Sequence, residues 1–201
     1  MSYDVYTHTA PARAKRLGFV VDVVSYGQRT ETQQEGVEVR LQALLRAVVA
    51  DVGDDFDQVD RDSGWGDGMV VFLPTGRDPA ELLPPLLRSV ATRLAADNAA
   101  CQDRIRLRMS VGTGLVARGD NGFAGPLVVN ISRLVDSEPL RRAAAANPEA
   151  DLVVLVLDVP HQEVVVPGYV PLVADRVALV DAAMKEFVDR AWLWVSAPQG
   201  W

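Results

Sequence analysis

The sequence predicts an α+β domain in which a mixed sheet alternates with amphipathic helices in a split βαβ order. Three observations carry this. Residues 17–25 form an apolar, β-branched run around the single charge of Asp22, the pattern of a strand buried on both faces. From Thr30 the period becomes helical, with Val37, Leu41, Leu44, Leu45, Val48 and Val49 recurring at three and four. Residues 69–73 then return to a short β-branched run behind a glycine-rich turn. With 201 residues, 49% of them hydrophobic and 23% charged, the chain is long enough for one domain with a sizeable core.

The chain divides into an N-terminal arm over residues 1–16, a domain over 17–196 and a tail over 197–201. The arm is polar and lacks the apolar core of a secretory signal. The first strand ends at Tyr26-Gly27, and Thr30 or Thr32 caps the first helix, with Gly53 just past its end. Residues 56–60 and 69–73 pair as a hairpin around Ser63-Gly64-Trp65-Gly66-Asp67-Gly68, and Pro74-Thr75-Gly76 breaks the chain. Asp78 caps a second helix running to about residue 96. Pro84-Pro85 sits awkwardly inside it and offers an alternative start.

Residues 105–116 alternate Arg104, Arg106 and Arg108 with Ile105, Leu107, Met109 and Val111, which predicts a strand with one solvated face. A glycine-rich loop follows and feeds a third helix over 126–146, stopped by Asn147-Pro148. Residues 152–157 form a buried strand. Residues 164–166, 177–184 and 191–195 read as further strands, with a helix over 177–188 as the competing reading.

Net charge of −7 argues against a general nucleic-acid binder. The single cysteine, Cys101, points to no oxidising compartment. No apolar run reaches the roughly 18–20 residues of a membrane span. Cytoplasmic residence is the default expectation. His8 and His161 have no partners at metal-ligand spacing. Trp192 and Trp194 alternate on the last strand, as core or contact residues.

The chemistry concentrates in two acidic residues. Asp22 stands amid apolar neighbours, where an unpaired charge is expensive, and Asp67 lies 45 positions later at the mouth of the hairpin. Two carboxylates on neighbouring strands repel unless cations sit between them. Magnesium takes one or two carboxylates and completes its shell with water and substrate phosphate.

Asp22-Val23-Val24-Ser25-Tyr26-Gly27, Gly66-Asp67-Gly68, Arg108-Met109-Ser110-Val111-Gly112-Thr113-Gly114 and Gly125-Pro126-Leu127-Val128-Val129-Asn130-Ile131-Ser132-Arg133-Leu134 occur in that order. Together they resemble the class III nucleotidyl (adenylate/guanylate) cyclase homology domain, over roughly residues 17–195. The resemblance implies a ferredoxin-like βαββαβ palm with additional C-terminal strands, pairing head to tail as a homodimer or related heterodimer. It implies a nucleoside triphosphate as partner and two Mg²⁺ or Mn²⁺ ions on Asp22 and Asp67, with the Val23 carbonyl as a further ligand. Arg133, eight residues after Gly125, matches the arginine that steadies charge on the reacting phosphate. Lys185 resembles, more loosely, a lysine that contacts the triphosphate.

The chain also departs from that pattern. The family asparagine falls four residues after the glycine, where Val129 stands; Asn130 is one step on, about 100° round the helix. The two base-reading positions hold Ser63 and Gly122, which cannot tell adenine from guanine by the usual hydrogen bonds. Asp62 or Asp120 could substitute. Two functions therefore stay open: a divergent cyclase forming a 3′,5′-cyclic nucleotide, and a catalytically inactive module that binds nucleotide or dimerises.

Overall fold

A computed structural model describes residues 13–62, 67–119, 122–166, 177–184 and 187–196. In chain order these form β1 (Arg13–Val23), α1 (Glu31–Asp51), β2 (Asp60–Asp62), β3 (Gly68–Phe72), α2 (Pro79–Ala100), β4 (Leu107–Gly119) and β5 (Gly122–Ala124). There follow α3 (Pro126–Val135), α4 (Glu138–Ala146), β6 (Leu152–Leu157), β7 (Val177–Met184) and β8 (Phe187–Val195). One sheet runs β2-β3-β1-β4-β6-β8-β7, with β5 added to β4. Among the described strands the β4–β6 pair alone is parallel.

The period-2 alternation of β1 sorts its side chains onto two cores. Leu17, Phe19, Val21 and Val23 pack with Val37, Leu41, Leu45 and Val48 of α1 and with Leu82, Leu86, Leu87 and Leu94 of α2. Val20 faces the other way, with Phe72, Leu127, Ile131, Leu134 and Leu140. Helices thus cover both faces. The same alternation places Asp22 on the α3 side of the sheet.

The central elements match the sequence reading, and the α+β palm with extra C-terminal strands is what the chain adopts. Several boundaries differ for identifiable reasons. β1 begins at Arg13, inside the expected arm, because Arg13–Arg16 continue the ladder against Ala117–Gly114 of β4. α2 starts at Pro79 despite Pro84 and Pro85. Each proline removes one ladder bond, while Leu82, Leu83, Leu86 and Leu87 are fully buried, and that burial outweighs the loss. The single helix expected over 126–146 breaks at Asp136-Ser137, where Ser137 is the N-cap of α4 and Pro139 sits in its first turn.

The strand expected at 164–166 is instead a helical turn, Asp158–Pro160, running into a π-helical turn, His161–Val165. Burial of Val164 in the core overrides the β-preference of the valine run. The alternative helix over 177–188 gives way to the β7–β8 hairpin. The arginine stripe is hydrogen-bonded to the protein rather than left to solvent alone, although Arg104 stays exposed. Arg104 bonds Asp151 and the Pro148 and Glu149 carbonyls, and Arg106 bonds the Ala144, Asn147 and Ala150 carbonyls. These two guanidiniums tie the segment entering β4 to the end of α4 and to the loop leading into β6. Trp194 is 5% exposed and belongs to the core.

Candidate active site

Strand register brings the two aspartates to one end of the sheet. β1 and β3 pair with Asp22 opposite Gly68, and one step further the Val23 amide donates to the Asp67 carbonyl at 2.8 Å. Gly68 is required for this approach. A Cβ there would lie 2.6 Å from the Val21 carbonyl oxygen, closer than any side chain is accommodated. β1 leaves the sheet through Ser25, whose φ of 60° puts a non-glycine residue in the left-handed region. A 3₁₀ turn, Tyr26–Gln28, follows.

The Asp22 carboxylate is part-buried and faces Arg108, its cross-strand partner on β4. Arg108 Nε donates to Oδ2 at 2.8 Å, and Nη2 donates to the same oxygen. Burial pushes the Asp22 carboxyl up, against the lowering effect of the Arg108 hydrogen bond and charge. The charges of Asp67 and of Asp136, at the end of α3, raise it further. Asp67 also reaches Tyr26. The Tyr26 hydroxyl donates to Glu38, which pushes the phenol up to about 12, and the charge of Asp67 adds to the rise. Asp22, Asp67 and Asp136 therefore share one electrostatic neighbourhood.

The donor set fits a hard divalent cation. Oδ1 of Asp22 accepts no hydrogen bond among the described residues, and the charges of Asp67 and Asp136 act on the carboxylate alongside the opposing charge of Arg108. No cluster of three or more metal-ligating side chains exists among the described residues.

Arg133 lies in the last turn of α3, half-buried, with no side-chain partner among the described residues. Asn130 is half-buried as well. It lines a largely apolar cavity of about 760 Å³ with Thr113, Leu127, Leu157 and Pro126. Val129, where the family pattern has asparagine, is 44% exposed. Gly122 takes φ 104°, and a Cβ there would lie 3.8 Å from Asp62 Oδ2, so Asp62 overlooks Gly122. Ser63 and Lys185 lie outside the described residues.

Sequence reasoning missed Arg108 as a partner of Asp22, because alternation shows that the arginine shares a strand face but not which residue it meets across the ladder. It also missed Asp136, whose approach to Asp22 depends on the break between α3 and α4.

No family model and no curated protein matches the chain. Solved structures do. The adenylyl cyclase CyaB from P. aeruginosa superposes with a TM-score of 0.62 at 16% identity, covering 92% of this chain and 96% of that one. An adenylate/guanylate cyclase/hydrolase from Silicibacter pomeroyi gives 0.64 at 20% identity, over 92% and 99%. The guanylyl cyclase Cya2 gives 0.62 at 14% identity, over 93% of both chains. Four ordered motifs and a superposition spanning nearly the whole chain agree: this protein has the class III nucleotidyl cyclase fold, in a divergent version.

Proposed function

We propose that the chain is a divergent nucleotidyl cyclase-type domain that binds a nucleoside triphosphate with divalent cations at Asp22 and Asp67. The reaction such a site can run is ring closure. The ribose 3′-hydroxyl gives up its proton to solvent as its oxygen forms a bond to the α-phosphorus, the bond from that phosphorus to pyrophosphate breaks, and a 3′,5′-cyclic nucleotide results. The observation carrying this reading is the β1–β3 register, which sets Asp22 and Asp67 at adjoining positions around Gly68.

Asp22 and Asp67 would hold Mg²⁺ or Mn²⁺ through carboxylate oxygens, with the Val23 carbonyl as a further donor. When bound, two such ions lower the pKa of the attacking hydroxyl and neutralise the phosphates. Arg133, without a partner among the described residues, supplies a planar guanidinium for charge developing on the α-phosphate. Its place is at an interface with a second copy or a related chain. Ser63, Gly122 and Lys185 line the substrate side of the same proposal. Asn130 enters only if α3 turns in the assembled state.

A second reading is favoured by one specific observation. Val129 is exposed where the family pattern has asparagine, while Asn130 lines an apolar cavity. A domain so altered binds nucleotide or dimerises without turnover. Incubating the purified protein with Mn²⁺ and each of the four triphosphates separates the two. Cyclic product and pyrophosphate that vanish in Asp67→Ala establish the cyclase. Metal-dependent binding without product establishes the module.

A further inference from the structure

The pairing of Arg108 with Asp22 has an unusual geometry. An arginine–carboxylate fork ordinarily places one N–H on each oxygen. Here Nε and Nη2 both converge on Oδ2, leaving Oδ1 as the oxygen of Asp22 without a hydrogen bond among the described residues. The side chains are 17% and 19% exposed, so the pair is screened far less than one on the open surface. Among the described residues Arg108 has no other acceptor.

Resting on the reading of Asp22 as a cation ligand, we propose that Arg108 is the resident counter-cation of this site. It occupies Oδ2 and holds divalent cations back from the nucleotide-free protein. A cation arriving at Oδ1 meets a guanidinium on the sister oxygen, and like charges that close repel strongly when part-buried. A cation needing both oxygens must first detach Arg108, which strands a guanidinium that has no second acceptor. Asp67 and Asp136, the other charges facing Asp22, draw a cation in. Arg108 is the element that opposes it. It is a positioning residue, acting through Asp22.

The test is a Mn²⁺ titration of the full, nucleotide-free chain at pH 8 and low ionic strength, reading free Mn²⁺ by electron paramagnetic resonance. Arg108→Gln and Arg108→Met should each bind Mn²⁺ about tenfold more tightly than wild type; the methionine keeps the packing of the stem if the glutamine variant folds poorly. Arg108→Lys, which keeps the charge, should stay near wild type. Adding Asp22→Asn to Arg108→Gln should erase the gain. Folded neutral variants that bind no more tightly than wild type overturn the role of Arg108. So does a lysine variant that gains as much as they do. A gain that survives Asp22→Asn overturns instead the assignment of Asp22 as ligand.

Discussion

Gly68 sits between the two aspartates, and replacing it with alanine perturbs the candidate site from within the fold. The added methyl would lie 2.6 Å from the Val21 carbonyl oxygen and 3.7 Å from the Asp22 Cα. The distance to the Asp22 Cα is ordinary contact, but the Val21 oxygen is a backbone obstacle that no rotamer change relieves, so the last rung of the β1–β3 ladder must open. Overpacking of this kind costs roughly 1–3 kcal/mol. For a chain of this length each kcal/mol lowers Tm by about 2–4 °C, giving a drop of roughly 2–12 °C. Gly36→Ala is the control. That glycine is an exposed residue inside α1, and its Cβ would meet nothing within 4 Å, so alanine should stabilise by about 0.5–1 kcal/mol. Thermal melts of the three proteins, with and without Mn²⁺ plus nucleotide, read both effects. A Gly68→Ala protein that melts with the wild type and keeps its response to metal would refute the tight approach argued here.

Two further expectations concern pH. His161 is 5% exposed, stacks on Trp192 with ring centroids 3.6 Å apart, and burial pushes its pKa down. The unfolded chain then binds the proton more readily than the native state, so stability should fall as pH drops below about 6.5, the unperturbed histidine value. His161→Phe should flatten that slope in melts taken across pH 5 to 8. Hydrogen bonds from Arg93 and Ser89 hold the Asp51 carboxyl down at about 2. Its contribution is full above the unfolded value near 3.8 and is lost as pH falls towards 2. Asp51 is 38% exposed, so the effect is modest, and Asp51→Asn should remove it from acid unfolding curves.

What the sequence disclosed divides along the range of the interactions involved. β1, α1 and β6 were legible because apolar periodicity is local, and the buried runs at 19–23 and 152–157 have no second interpretation. The break at Asp136-Ser137 was hidden by the alanine-rich, helix-favouring stretch behind it, although Ser137 and Pro139 together carry a cap signal. The π-helical turn at 161–165 went unread because three valines carry β-preference while the burial that decides the matter comes from α2 and the sheet. Asp22 stood out as a charge in a place where charge is costly, and Asp67 as a carboxylate in a glycine-rich hairpin turn. The roles of the arginines did not, since Arg104, Arg106 and Arg108 look alike along the strand and differ only in what lies across from each. Asn130 shows the same limit. Its one-residue offset was visible, and its place in an apolar cavity needed the fold.

In the proposed function Asp22 and Asp67 act as one cation-dependent nucleotide site. The most direct measurement is calorimetric titration of a nucleoside triphosphate into the wild type, with and without Mn²⁺, repeated on Asp22→Asn and Asp67→Asn. Binding that requires Mn²⁺ in the wild type and is lost in both folded variants is the expected result. Binding that ignores the metal, or survives unchanged when either carboxylate is removed, would contradict it.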